Sequence, residues 1–106
     1  MNAKRLGRGP DGIDQKGVPF EIRESRRTSK YRLQKDVHDQ LCKRNGYYLF
    51  KRGKTITKVD ANDITPLLKK GRFNRDRTYP YKFLDVQTLR TNFAPLQEKA
   101  ARQFYE

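Results

Sequence analysis

The run YYLFKR, residues 47–52, constrains this chain most: it is aromatic, unbroken and reads as a strong β-strand. One strand is not a stable unit, so the flanking segments must supply the rest of a sheet. GKTITKV, directly after it, continues the strand or returns from it. Upstream, PDGID and VPFEIRES flank DQKG. Asp, Gln and Lys followed by Gly suit a tight reversal in which Gly17 takes a positive φ. The expectation is a hairpin with Pro19 near the start of its second strand.

Between hairpin and strand lies RRTSKYRLQKDVHDQLCKRNG. Leu33, Val37 and Leu41 recur every four residues and lay an apolar stripe along a helix. Thr28 or Ser29 is placed to cap it, Lys43 and Arg44 sit in its last turn, and Asn-Gly stops it. DANDITPLLKKG predicts a short helix with Asp60 or Asp63 as cap, Pro66 in the first turn and Gly71 at the end. RFNRDRTYPYKFLDV is basic and aromatic, part loop and part strand. The last segment, DVQTLRTNFAPLQEKAARQFYE, reads as helical near its end, interrupted at Pro95. This order predicts an α/β or α+β protein with a small sheet.

Composition narrows the partners. At 106 residues the chain is one domain, with residues 1–9 expected as a basic flexible arm and 10–106 as the folded unit. The hydrophobic fraction is 34%, but the apolar residues are clustered, which favours a folded domain with a large wetted surface. The 25 basic residues exceed the 12 acidic ones and give a formal charge of +13. Such an excess attracts polyanions. No stretch resembles a transmembrane span, a signal peptide or an apolar basic helix, so nucleic acid is expected rather than a membrane. Cys42 is the single cysteine and His38 the single histidine, which argues against an internal disulfide or zinc site. A reducing, intracellular setting, cytoplasmic or nucleoid-associated, fits that usage.

Alternation along VPFEIRES puts Glu21, Arg23 and Ser25 on one face and Phe20, Ile22 and Glu24 on the other. If Phe20 and Ile22 cover the core, the Glu21 and Arg23 face is open to solvent or ligand. The hairpin brings Asp11 beside Glu21. Two carboxylates held together repel, and a divalent cation relieves the repulsion. Hard oxygen ligands suit Mg2+ or Mn2+, and the Ile22 carbonyl is a third candidate oxygen. Such an ion polarises a phosphoryl oxygen and supplies hydroxide for attack on a phosphodiester. Arg23 is placed to hold the phosphate.

GPDGID…PFEIRES resembles the PD-(D/E)XK nuclease superfamily, whose signature is an Asp after Pro, then Glu-x-Lys on the adjoining strand. The resemblance spans roughly residues 7–52 and is similar in sense to small Holliday-junction resolvases. It implies a restriction-endonuclease-like mixed sheet flanked by helices, and a metal-dependent endonuclease that acts on DNA, with branched DNA among its substrates. It assigns metal binding to Asp11 and Glu21, the Lys position to Arg23, and a site-orienting role to Gln34. Nuclease members often dimerise, so a homodimer is among the implied partners. Three departures stand out. Arg23 replaces Lys, His38 stands where a Tyr often follows that Gln by four, and no acidic residue precedes Asp11.

Other readings stand beside these. Asp11 reads equally as a turn cap after Pro10, and Glu21 as a surface partner of Arg23 or Arg26. Glu24 is expected in an exposed ion pair, His38 as a satisfied helix residue, and Cys42 as a small residue with no basic catalytic partner. Arg26, Arg27, Lys30, Arg32 and Lys35, with Arg72, Arg75 and Arg77, are the candidates for phosphate contact. Tyr79 and Tyr81 could stack on bases or pack over the sheet with Phe83. The competing classes are a catalytically inactive DNA-binding module on the same fold and a small basic RNA-binding protein of ribosomal type.

Overall fold

The computed structural model describes residues 9–68, 74–75 and 80–97, with backbone only at 74–75 and 97. The elements run β1 (Gly12–Ile13), β2 (Pro19–Glu24), β3 (Lys30–Gln34), α1 (Lys35–Lys43), β4 (Tyr47–Arg52), β5 (Thr55–Asp60) and α2 (Ala61–Ile64). They continue with a 3-10 turn (Thr65–Leu67), β6 (Asn74–Arg75), β7 (Pro80–Asp85), α3 (Val86–Asn92) and β8 (Leu96–Gln97). The fold is mixed α/β. One sheet has the order β1-β2-β4-β5-β8, and a second has the order β3-β7-β6. All strand pairs are antiparallel except β2 and β4, which run parallel with Phe20 opposite Tyr47.

The first hairpin forms around Asp14. Its carboxylate accepts hydrogen bonds from the amides of Lys16 and Val18, both at 2.9 Å, and its carbonyl accepts from the Gly17 amide. Gly17 has φ +81°, as its place in the reversal demands. The strand expected at 47–52 is β4, and GKTITKV returns from it as β5.

The long helix predicted from residue 28 onward is shorter. Residues 30–34 form β3, and α1 starts only at Lys35. Tyr31 and Leu33 point inward in alternation, opposite Leu84 and Lys82 of β7, so sheet pairing wins over the fourfold spacing. Thr28 and Ser29 therefore cap no helix. The Thr28 hydroxyl donates to the Lys30 carbonyl, and the Ser29 carbonyl accepts from the Val86 amide. The Asn-Gly stop holds. Asn45 takes φ +55°, its amide bonds the Cys42 carbonyl, and the Gly46 amide bonds the Leu41 carbonyl at 2.7 Å, a Schellman closure.

Asp60 occupies the cap position of α2 without a side-chain capping bond, and Pro66 opens the 3-10 turn. Gly71 lies outside the described residues. The segment after Asp85 gives the short helix α3 and then, beyond Pro95, the strand β8, while the helical reading of 98–106 lies outside the described residues.

The main core lies between the sheets: Tyr31, Leu33 and Leu84 from one, Tyr48, Phe50 and Val59 from the other, closed by Val37 and Leu41 of α1 and Leu89 of α3. A smaller cluster of Phe20, Tyr47, Leu49 and Ile56 covers the opposite face of the first sheet. Burying both faces explains why four consecutive residues of β4 are apolar. Among the described residues, no helix is long and apolar enough to cross a membrane.

Candidate functional site

β1 sits at the edge of the first sheet, and its register sets Gly12 against Phe20. The residue before Gly12 is thus carried to the residue after Phe20, and Asp11 meets Glu21. The contact is reciprocal. The Asp11 amide donates to Glu21 Oε1 at 3.0 Å, and the Ile22 amide donates to Asp11 Oδ2 at 2.8 Å. The Asp11 carboxylate therefore reaches across the hairpin instead of capping a turn next to Pro10.

Glu21 departs from its expected exposure. It is only 5% exposed and shares its face with Tyr48 and Phe50, the main-core side, whereas Phe20 packs into the smaller cluster. The face expected to be open is turned inward. Water reaches the pair through exposed Asp11 and half-buried Arg23. An Arg23 guanidinium nitrogen lies 3.7 Å from Glu21 Oε2. Burial pushes the Glu21 carboxyl up to about 7, the charge of Asp11 and a hydrogen bond between the two carboxyls push the same way, and Arg23 opposes them.

This arrangement is chemically loaded. One carboxylate is dry, the other is wet, and each holds the other through the backbone. Neutralising them requires a proton or a cation. The residues fit a divalent ion as a partial oxygen set, two carboxylates at the mouth of a hairpin. Among the described residues, no group of three or more His, Cys, Asp or Glu side chains converges on one point.

No significant match to any protein-family model, curated protein or solved structure was found.

Gln34 is not joined to this pair by any hydrogen bond among the described residues. It ends β3 on the face opposite Leu33, in register with Tyr81, and its side-chain oxygen is buried without a partner. His38 is fully engaged. Its Nδ1 lies 2.9 Å from the Tyr48 hydroxyl and its Nε2 2.8 Å from the Thr65 hydroxyl, and burial holds its pKa below the ordinary value. Cys42 has a basic neighbour after all, with Sγ 3.4 Å from His38 Nε2. The signal was present in the sequence, since positions i and i+4 adjoin on a helix.

The basic run from 26 to 35 does not stay together. Arg26 pairs with Glu24 at 3.1 Å, the exposed pair expected of Glu24, and Lys35 pairs with Asp39 at 2.6 Å. Arg27 is exposed in the loop between β2 and β3. Lys30 and Arg32 point to the outer face of the second sheet. Arg75 lies on β6, paired with Pro80, while Arg72, Arg77 and Tyr79 lie outside the described residues. Asp14 is a residue sequence reasoning undervalued. Besides building its turn, it accepts the Tyr47 hydroxyl at 2.9 Å and so ties the hairpin to β4. Arg52 does similar work at the other end of β2, donating to the Ser25 hydroxyl and the Thr28 carbonyl.

Proposed function

We propose that this protein is a metal-dependent DNA endonuclease that hydrolyses phosphodiester bonds, with Asp11 and Glu21 as ligands to Mg2+ or Mn2+. The observation that carries the reading is the coupled carboxyl pair at the hairpin mouth, with a guanidinium beside it. The resemblance of GPDGID…PFEIRES to the PD-(D/E)XK nucleases supports it, as does the parallel return of the chain from β2 through α1 to β4. The ion, when bound, supplies positive charge to a phosphodiester oxygen and lowers the barrier to attack by water.

The chain's own groups do the positioning. Glu21 offers its carboxylate from a buried strand that cannot swing away, and Asp11 offers its own from the solvent side. Arg23 presents a planar guanidinium beside the pair, a cation placed to hold the phosphate and to offset charge developing on it. The basic side chains at Arg27, Lys30 and Arg32 supply attraction to the backbone without reading sequence.

The test is incubation with linear duplex, single-stranded and four-way DNA, with and without Mg2+ or Mn2+. Cleavage by the wild type and its loss in Asp11→Ala and Glu21→Ala, with DNA binding retained or stronger, is the expected result. Unchanged cleavage in both variants removes the catalytic assignment. A second reading, a non-catalytic DNA-binding module, is favoured by Arg23 in the Lys position. It predicts salt-sensitive binding that neither metal converts into cleavage.

A further inference from the structure

The outer face of the second sheet carries rings where a solvent face would ordinarily carry polar side chains. Register puts Lys30 opposite Asp85, Arg32 opposite Phe83 and Gln34 opposite Tyr81. Tyr31 and Leu33 point the other way into the core, so these six residues share the opposite side, where Lys30, Phe83 and Asp85 are exposed and Arg32, Gln34 and Tyr81 are half-buried. Tyr81 and Phe83 meet edge to face with centroids 5.2 Å apart. Each has a cation on its diagonal neighbour: the Arg32 guanidinium lies 3.9 Å from the Tyr81 centroid and the Lys30 ammonium 5.3 Å from that of Phe83. Phe83 remains 42% exposed.

We infer that this face is a stacking platform for unpaired nucleotides of DNA, with Phe83 receiving a base and Lys30 and Arg32 meeting the flanking phosphates. Two features select this occupant. An apolar protein partner would be met by aliphatic neighbours, whereas here every ring is flanked by a cation. A nucleotide is the ligand that brings an aromatic face and a negative charge together. The formal charge of +13 draws the same polyanion to the whole molecule. The platform lies on a different sheet from the Asp11–Glu21 pair, so it extends the nuclease reading to DNA with a single-stranded part. It rests on that reading only for the choice of DNA.

The chain contains no tryptophan, so Phe83→Trp creates a single fluorescent reporter at the proposed contact. Binding is measured in EDTA, where no cleavage occurs and the fate of the metal site has no bearing. Oligothymidylate is expected to quench the Trp emission over the same concentrations at which it raises the anisotropy of a labelled strand. Phe83→Ala is expected to weaken single-strand binding by about tenfold, the size of one lost base–aromatic stack, with duplex binding and the salt slope unchanged. Lys30→Ala and Arg32→Ala should each lower that slope by roughly 0.7. Oligouridine should bind within a few-fold of oligothymidylate, because stacking ignores the sugar. Binding without quenching, or wild-type affinity in a Phe83→Ala protein that melts normally, overturns the platform. Binding confined to oligouridine overturns the DNA assignment.

Discussion

Replacing Glu21 by Gln should stabilise the protein, and only where the glutamate is ionised. The carboxyl is pushed from 4.5 up to about 7 by burial and by Asp11. A raised carboxyl binds its proton more tightly folded than unfolded, so stability falls as pH rises between those values. Fully expressed, the shift corresponds to about 3 kcal/mol above pH 7. The Arg23 side chain beside it is 29% exposed and admits water, so screening reduces this to about 2 kcal/mol. Gln keeps the shape and stays neutral. Expected melting temperatures at pH 8 are therefore roughly 10 °C higher for Glu21→Gln than for the wild type, at about 4–8 °C per kcal/mol. At pH 4 the two should nearly coincide, because the glutamate is then protonated in both states. Thermal unfolding followed by circular dichroism from pH 4 to 9 measures the difference. A gap of constant size across that range, or a variant less stable at pH 8, would refute the argument that a buried, strained charge sits at this position.

Gly46→Ala should be costly, although its φ is unremarkable. A methyl group there would lie 2.5 Å from the Pro19 carbonyl oxygen and 2.8 Å from Leu41 Cδ2. Chemical denaturation should report a loss of about 3 kcal/mol, with Asn45→Gly, which lies at the positive φ, nearly neutral by the same assay. Asp14→Ala should lower the melting temperature at neutral pH by removing the acceptor of Lys16, Val18 and Tyr47. The Val18 amide bond, helped by the Tyr47 hydroxyl, holds the Asp14 carboxyl below its ordinary value. Its contribution is therefore present above the usual carboxylate range and lost as pH falls through the folded pKa, the opposite sign to Glu21. An acid limb of the stability curve identical in wild type and Asp14→Ala would contradict this.

The hairpin, the Gly17 turn, β4 with its return strand and the Asn-Gly stop were legible because each is governed by neighbours in sequence. β3 was not. Leu33 shares a fourfold spacing with Val37 and Leu41, and the evidence for a strand lies in β7, far along the chain. The meeting of Asp11 with Glu21 followed from hairpin register, but the burial of Glu21 did not follow from alternation. Alternation separates two faces without saying which is dry, and here both are buried: Glu21 lies with Tyr48 and Phe50 on the side of the main core, and Phe20 with Tyr47 and Leu49 in the smaller cluster. The aromatic face of β7 was half legible. Tyr81 and Phe83 stood out as aromatic, but only their pairing with β3 shows which cations lie against them.

The parallel contact between β2 and β4 sets an order of assembly. β4 and β5 close on each other through a tight turn at Gly53, a local event on the microsecond scale. β2 has no such shortcut, because the chain leaves for the other sheet as β3 and returns as α1 before β4 begins. Its alignment beside Tyr47 must await the docking of those intervening elements, with the entropy of closing that larger loop already spent. The dry carboxylate is thus immobilised late. A partly folded chain would already display its positive charges before the Asp11–Glu21 pair is locked in place.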